Sequence, residues 1–392
     1  MSVAWDAILV TKAGRKYRVV ISIAGSEHGF SKDSYIQGGK VSYKAILADV
    51  DSHVHRDAIL GLWKRNLHLI CDDRYDWLYS DNPAGPTITL LAVQEEQDRI
   101  VGCASIMRRD FVINGKLYPA GVAIDFAVDS EFRVFGPALL LQRTLVEQAW
   151  AQGLEFVVGF PNHAAQAVVK RVGYESLGEK ARFSQVIRSR SKLREALPRV
   201  FPDWLVTAAG RVLDTGLVLR NSLSGGSAIA KVLSRDDELD ESWQRLWEKN
   251  MEKQGIWGNH GLSYLRWRYV HCPYRDYRFF QLSDKQGELL AYLIFSLKDD
   301  MALIEDFRFS DEAWVPELFN KFWSEMHGFG VAAINTGLIF HGGIKLMMTK
   351  AGFLLRPLDR GGVVLPSPEC AIDLASLISH GDWYITDGEI DL

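Results

Sequence analysis

The sequence predicts an α/β (α+β) chain made of two tandem copies of one domain, each a mixed, mostly antiparallel sheet flanked by helices. Three observations carry that reading. The hydrophobic spacing runs strand, helix, several strands, helix, strand, helix, strand, an order that layers helices on a mixed sheet. Fragments of it then return in the same order. LWKRN at 62–66 is answered by LWEKN at 246–250, and Trp77-x-Tyr79-xxx-Pro83 by Trp267-x-Tyr269-xxx-Pro273. IDFAV at 124–128 is answered by EDFRF at 305–309, and RVGY at 171–174 by KAGF at 350–353. Between the copies, a basic and then helical stretch ends in SLSGGSA, the composition of a linker.

Taken in order, residues 1–43 read as a β-hairpin extension. WDAILV and KYRVVISIAG flank TKAGR, with Gly14 in the turn. The first copy covers 44–190. YKAILADVD begins it as a strand, and HRDAILGLWKRNL follows as a helix capped near Asp51 or Ser52. TITLLAVQ (87–94) and RIVGCASIMRRDFV (99–112) are strands joined by the polar EEQD, and KLYPAGVAIDFAVDS holds the next. A helix runs from Pro137 to Gly153, then come the buried strand LEFVVGF, a helix over HAAQAVVKRV, and strands from Tyr174. Residues 191–228 form a helical linker, and 229–392 form the degenerate second copy.

Composition narrows the function. The 392 residues are 47% apolar and 24% charged, the balance of an ordinary globular protein. A net charge of −4 lacks the basic excess of a nucleic-acid binder, so no nucleic-acid partner is expected. Cys71, Cys103, Cys272 and Cys370 are too scattered for a disulfide framework or a zinc site, so free thiols and no metal are expected. No apolar run reaches the length of a membrane span. VVISIAG is too short and too far in for a secretory leader and reads better as a strand, which points to the cytoplasm.

The copies differ at one junction. After AIDFAVDS the first runs EFRVFGPALL straight into its helix; after EDFRF the second runs SDEAWVPELF, without glycine. A helix start exposes unsatisfied N–H groups and the positive end of the dipole, and glycine lets an anion approach them closely. Gly136 supplies that approach and small Ala138 keeps it open. Pro137 sits where its missing N–H costs nothing. Arg133 offers a charge-assisted contact. Since the second copy folds without this turn, the first is expected to keep it for a ligand, the alternative being a plain strand-to-helix turn with Arg133 solvated.

FAVDSEFRVFGPA resembles the acetyl-CoA signature of the GNAT acetyltransferase superfamily, a strand followed by Arg/Gln-x-x-Gly-x-Gly/Ala. NHAAQAVVKRVGY resembles that superfamily's Asn-x-x-Ala-xxx-Tyr-xxx-Gly-Phe segment, with Asn162, Ala165 and Gly173 in register and Tyr174 for the Phe. The likeness covers 46–185 well and 229–365 weakly. WLYSDNPAGP, LRWRY, GFPN and the ending DWYITDGEID look like double-domain acyltransferases of bacterial surface-polysaccharide genes, and Fem-type aminoacyl transferases share the doubled layout.

The resemblance implies acetyl-CoA or another acyl-CoA as co-substrate. Its diphosphate would lie on the amides around the turn Val134, Phe135, Gly136, Pro137 and Ala138, beside Arg133 and Asn162. Its pantetheine would follow Phe126, Ala127 and Val128, with a backbone N–H there facing the developing oxyanion. Alternation puts Ile124, Phe126 and Val128 on one face and Asp125 on the other. Asp125 is the candidate base or acceptor-orienting carboxylate, although Asp306 recurs in the copy without the turn and so can equally serve the fold. The superfamily's acid position holds Val169 here. His163 or Tyr174 then substitutes, or the thiolate leaves unaided; His163 also reads as a solvated residue beside the helix cap and Tyr174 as core. Trp77, Tyr79, Trp267, Arg268 and Tyr269 offer flat or cationic surfaces for the acceptor, or else pack. Arg266 flanks them.

The expected reaction is acyl transfer, most simply of acetyl, from acyl-CoA to an amino group of a small molecule such as an amino-sugar precursor of a surface polysaccharide. The alternatives are Fem-type transfer from aminoacyl-tRNA and a non-catalytic acyl-CoA sensor or scaffold.

Overall fold

The computed structural model describes residues 4–10, 16–22, 34–38, 41–49, 51–67, 72–133, 135–189, 193–194, 197, 201–222, 226–253, 255–340, 343–372, 377–378 and 383–390. Gly14, Cys71, Val134 and much of the basic stretch 190–200 lie outside them. The chain divides into two compact units. Unit 1 gathers Met1–Phe111, Tyr118–Leu177 and Gly362–His380; unit 2 gathers Val112–Leu117, Gly178–Gly361 and Gly381–Leu392.

In unit 1, β1 (Ala4–Val10) and β2 (Lys16–Ser22) pair antiparallel, as the hairpin reading expects. The main sheet is built from β3 (Ser34–Gly38), β4 (Val41–Leu47), β5 (Ile88–Gln94) and β6 (Arg99–Arg108). After the short β7 (Phe111–Ile113) and β8 (Lys116–Tyr118), β9 (Ala120–Val128) joins it beside β6. These neighbours run antiparallel throughout. Then β10 (Phe156–Gly159) pairs parallel with β9, as a strand reached through a crossover helix must.

Helices α1 (His53–Asn66) and α2 (Asp73–Tyr79) precede β5, and α3 (Phe135–Ala151) and α4 (His163–Val172) bracket β10. Leu141, Leu145 and Ala149, spaced by four, turn one stripe of α3 onto Leu90, Ala92, Val101 and Ala104 of the sheet. Each fully buried leucine there contributes about 1.5–3 kcal/mol.

Unit 2 repeats the order. The long β11 (Glu175–Val186) enters it from Gly178, and α5 (Asp203–Ser222) leads to β12 (Ile229–Leu233). Then follow α6 (Glu241–Met251), β13 (Ile256–Gly258), and α7 (Leu262–Leu265), which continues as one π-helical turn over Arg266–Val270. Next come β14 (Tyr277–Ser283), β15 (Leu289–Lys298), β16 (Met301–Phe309), α8 (Trp314–Gly328), β17 (Ala333–Phe340), α9 (Gly343–Lys350), β18 (Leu354–Pro366) and β19 (Trp383–Thr386). β12, β14, β15 and β16 pair antiparallel and β16 with β17 parallel, as β4, β5, β6, β9 and β10 do. The repeated LWxxN does the same work twice. Asn66 Nδ2 donates to the Leu62 carbonyl at 3.1 Å and Asn250 Nδ2 to that of Leu246 at 2.8 Å.

Two strands pair outside the domains, 44–190 and 229–392, to which the sequence reading assigns them. β11 pairs antiparallel with β17 through Ala181–Val186, inside unit 2. The end of β18, Val363–Pro366, pairs antiparallel with β10, inside unit 1. Helix α5 also falls within unit 2 rather than standing apart as a linker.

Candidate active site

The site of interest in unit 1 starts with a fault in β9. Opposite β6 the register runs Cys103↔Ala127 and then Ser105↔Ile124, so β9 carries an extra residue. Asp125 sits in this bulge at φ 50°, a left-handed conformation that costs a non-glycine residue about 1–3 kcal/mol. Its carboxylate, nearly sealed from solvent, is held by Arg74 Nη1 at 3.1 Å and the Tyr79 hydroxyl at 3.0 Å. Tyr79 in turn lies 2.8 Å from Ser105 Oγ, which accepts from Thr89 at 3.0 Å. The Cys103 thiol points at the Asp125 carbonyl at 3.4 Å. Burial pushes both the Tyr79 phenol and the Cys103 thiol up, so both stay protonated.

The bulge corrects the facing expected from plain alternation. Ala123, Phe126 and Val128 share the core under α3, because the added residue shifts the phase between 123 and 126. Beyond the bulge β9 also parts from β10. Their pairing ends at Ala123↔Gly159, so from Ile124 onward no strand among the described residues pairs with that edge of β9.

The chain leaves β9 through Asp129, a 3-10 turn over Ser130–Phe132, and the start of α3. Asp129 accepts from Arg65 at 3.1 and 3.0 Å and from Asn66 at 2.8 Å. Burial pulls its carboxyl up, but those bonds outweigh it and hold it below the usual range. Arg133 donates to the Val128 carbonyl at 3.0 Å and to Asn66 at 2.9 Å, so it braces the turn from which an anion would be met.

At the mouth of α3 a Cβ added to Gly136 would meet nothing nearer than the Tyr43 ring at 3.9 Å, and no positive φ demands glycine there. Neither packing nor backbone requires this glycine. The space at this helix start, beside the N–H groups of Phe135, Gly136 and Ala138, would fit the diphosphate of coenzyme A.

The other expected site residues divide. Asn162 is the N-cap of α4, accepting from the Ala165 N–H at 3.0 Å, and His163 is exposed as the first helical residue. Tyr174 is buried in the core with its hydroxyl unpartnered, and Val169 lies in the same cluster. Trp77 and Tyr79 are buried, Tyr79 inside the Asp125 network. Trp267 and Tyr269 are buried too, and Arg268 donates to the carbonyls of Gly388 at 2.8 Å and Ile390 at 3.3 Å. Arg266 reaches the Leu239 carbonyl at 2.8 Å. The five residues read as acceptor surfaces are thus structural in position. Reading by spacing missed Arg74, whose partner is 51 residues away. It also missed Phe135-Gly136-Pro137 answering Trp314-Val315-Pro316, with proline third in both α3 and α8.

The corresponding place in unit 2 is filled. β16 and β17 also part, after Ile304↔Thr336, but β19 lies against β17 through Leu338↔Thr386 to Phe340↔Tyr384. Tyr384 donates to the Phe307 carbonyl at 2.7 Å. Asp306, aligned with Asp125, lies 2.8 Å from His260 Nε2, and accepts from Arg308 at 3.1 Å and Thr386 at 3.3 Å. Burial alone would raise Asp306, but Arg308 and His260 hold it down to about 2.

This mixed sheet flanked by helices is GNAT-like in fold. Residues 57–174 match the family model described as the acetyltransferase (GNAT) family, and a comparison with curated proteins finds no match. Solved structures resemble the whole chain in fold. A probable N-acyltransferase from Enterococcus faecalis V583 superposes with a TM-score of 0.60 at 11% identity, over 83% of this chain and 72% of that one. A GCN5-related N-acetyltransferase from Anabaena variabilis gives 0.57 at 11%, over 82% and 72%. The Saccharomyces cerevisiae N-myristoyltransferase, with bound myristoyl-CoA and inhibitors, gives 0.56 at 10%, over 94% and 89%. Among the described residues no helix is long and apolar enough to cross a membrane.

Proposed function

We propose that unit 1 transfers an acyl group, most simply acetyl, from acyl-CoA to an amino group of a small acceptor. The observation that carries this reading is the unpaired edge of β9 leading to a helix mouth whose glycine no internal contact requires. The match of 57–174 to the acetyltransferase family supports it.

Acyl-CoA would supply the activated acyl group as a thioester. The chain's own residues do the rest. The amides of Phe135, Gly136 and Ala138 bind the diphosphate, and Arg133 keeps their turn in place through Val128 and Asn66. The edge from Phe126 to Val128 lines the pantetheine, and an N–H there steadies the thioester oxygen. Asp125, closed in by Arg74 and Tyr79, is a positioning residue that fixes the bulge rather than a base. His163, exposed at the first position of α4, is the group available to take the amine's proton. The acceptor we propose is an amino-sugar precursor of a surface polysaccharide, supported by the likeness of the WLYSDNPAGP and GFPN stretches to such enzymes. The second copy, without the glycine, is a former acyl-CoA domain.

One observation favours a second reading. Val169 is apolar and the Tyr174 hydroxyl is sealed, so neither protonates a leaving thiolate, which suits a non-catalytic acyl-CoA sensor. Calorimetric titration with coenzyme A, followed by thiol release from acetyl-CoA over a panel of amino sugars, decides. Saturable binding with release is expected. Binding without release selects the sensor, and absence of binding sinks both.

A further inference from the structure

Unit 2 carries a cavity of about 760 Å³ on the sheet face turned away from α8, within the range of small-molecule sites. Side chains from β11, β15, β16 and β17 and from the loop before β14 line it. Its charges do not cancel. Arg275 pairs with Glu305 at 2.7 Å, Lys180 with Asp387, and Arg278 only distantly with Asp276 at 4.0 Å. Arg182 and Lys298, which also line it, have no acidic partner among the described residues.

Glu305 makes the site more than a solvated groove. It is 2% exposed and stands in the bulge of β16, between the pairs Ile294↔Asp306 and Phe295↔Ile304. Its Oε1 accepts from Arg275 at 2.7 Å and Ser296 at 3.2 Å, while Oε2 has no partner among the described residues. Burial raises its carboxyl, with Arg275 opposing. That oxygen belongs to a residue lining the cavity, where a ligand's hydroxyl or ammonium group can donate to it. Arg182 and Lys298, exposed cations lining the same cavity, suit a doubly charged anion.

We propose that this cavity binds a phosphate ester of a small hydroxyl- or amine-bearing molecule, with the phosphate on Arg182 and Lys298 and a donor group on Glu305. The inference goes beyond acyl transfer and does not depend on it. Nor is the cavity a second acyl-CoA groove, because β19 fills the gap where pantetheine would lie.

The test is calorimetric titration of the full chain with glucosamine 6-phosphate, inorganic phosphate and glucosamine, each with coenzyme A already saturating. Glucosamine 6-phosphate is expected to bind saturably, at least tenfold more tightly than glucosamine or inorganic phosphate. The double variant R182Q/K298Q should weaken it at least tenfold, leaving Tm and coenzyme A affinity unchanged. Glu305→Gln should weaken glucosamine 6-phosphate but not inorganic phosphate. The proposal is overturned if no ester binds, if R182Q/K298Q binds as well as the parent, or if coenzyme A displaces the ester. Ester binding without coenzyme A binding would count against the unit 1 reading alone and leave this one standing.

Discussion

Units 1 and 2 set the same carboxylate on the same strand and surround it in opposite ways. Asp125 stands beside a strand edge that, among the described residues, pairs with nothing after Ala123, and its strand leads to a helix that opens on Phe135 and Gly136. Asp306 stands beside an edge whose gap β19 fills, above a helix that opens on Trp314 and the buried Val315. The difference teaches that a motif aspartate does not mark a ligand site. On the function proposed here, the strand gap beside it and the residue at the helix mouth are what distinguish the two units.

Several substitutions would break or sharpen that contrast. The largest effect is expected from Arg308→Met, which leaves Asp306 buried without its main counter-charge. It should cost unit 2 about 3–5 kcal/mol, read as a lowered transition in scanning calorimetry. Normal stability would mean that the closed network is not what holds the gap shut.

Acid should act next, and on unit 2. His260 is lowered by burial and by Arg308, so the unfolded chain takes its proton first, and stability falls as pH drops below about 6.5. Asp306, held at about 2, favours the fold above its unfolded value near 3.8 and loses that contribution as pH falls toward 2. The loss is of order 2 kcal/mol. Calorimetry from pH 7 to 3 should show the acid slope reduced in Asp306→Asn; an unchanged slope would place the titration elsewhere.

Gly136→Val should weaken coenzyme A at least tenfold, about 1.4 kcal/mol, while changing stability by less than about 1 kcal/mol. Unchanged affinity would remove the helix mouth from the site. Asn162→Ala should cost about 1 kcal/mol by removing the cap of α4. Last, Val315→Gly copies the glycine into unit 2 and should add no second coenzyme A per chain, because β19 still occupies the gap; a stoichiometry of two would refute the contrast.

Much of this was legible in the sequence. The element order follows from periodicity, and the cap at Asn162 and the stop at Gly173 (φ 113°) from local chemistry. What was not legible depends on distant pairs. No local rule links Arg74 to Asp125, and none shows that residues 383–386 will lie in the gap beside β17. Alternation failed at Asp125 because a bulge depends on partner strands rather than on composition. The aromatic residues read as acceptor surfaces are buried because flat rings with a polar tip serve a core as well as a ligand.

The crossing strands have a consequence for how the chain is made. Among the described residues Phe156–Gly159 finds its outer partner in Val363–Pro366, so the sheet of the first unit stays unfinished until residue 366 has left the ribosome. A gene cut anywhere between α4 and β18 would yield a half with a bare sheet margin, prone to pair with other chains. The two halves are therefore expected to be inherited, expressed and lost together.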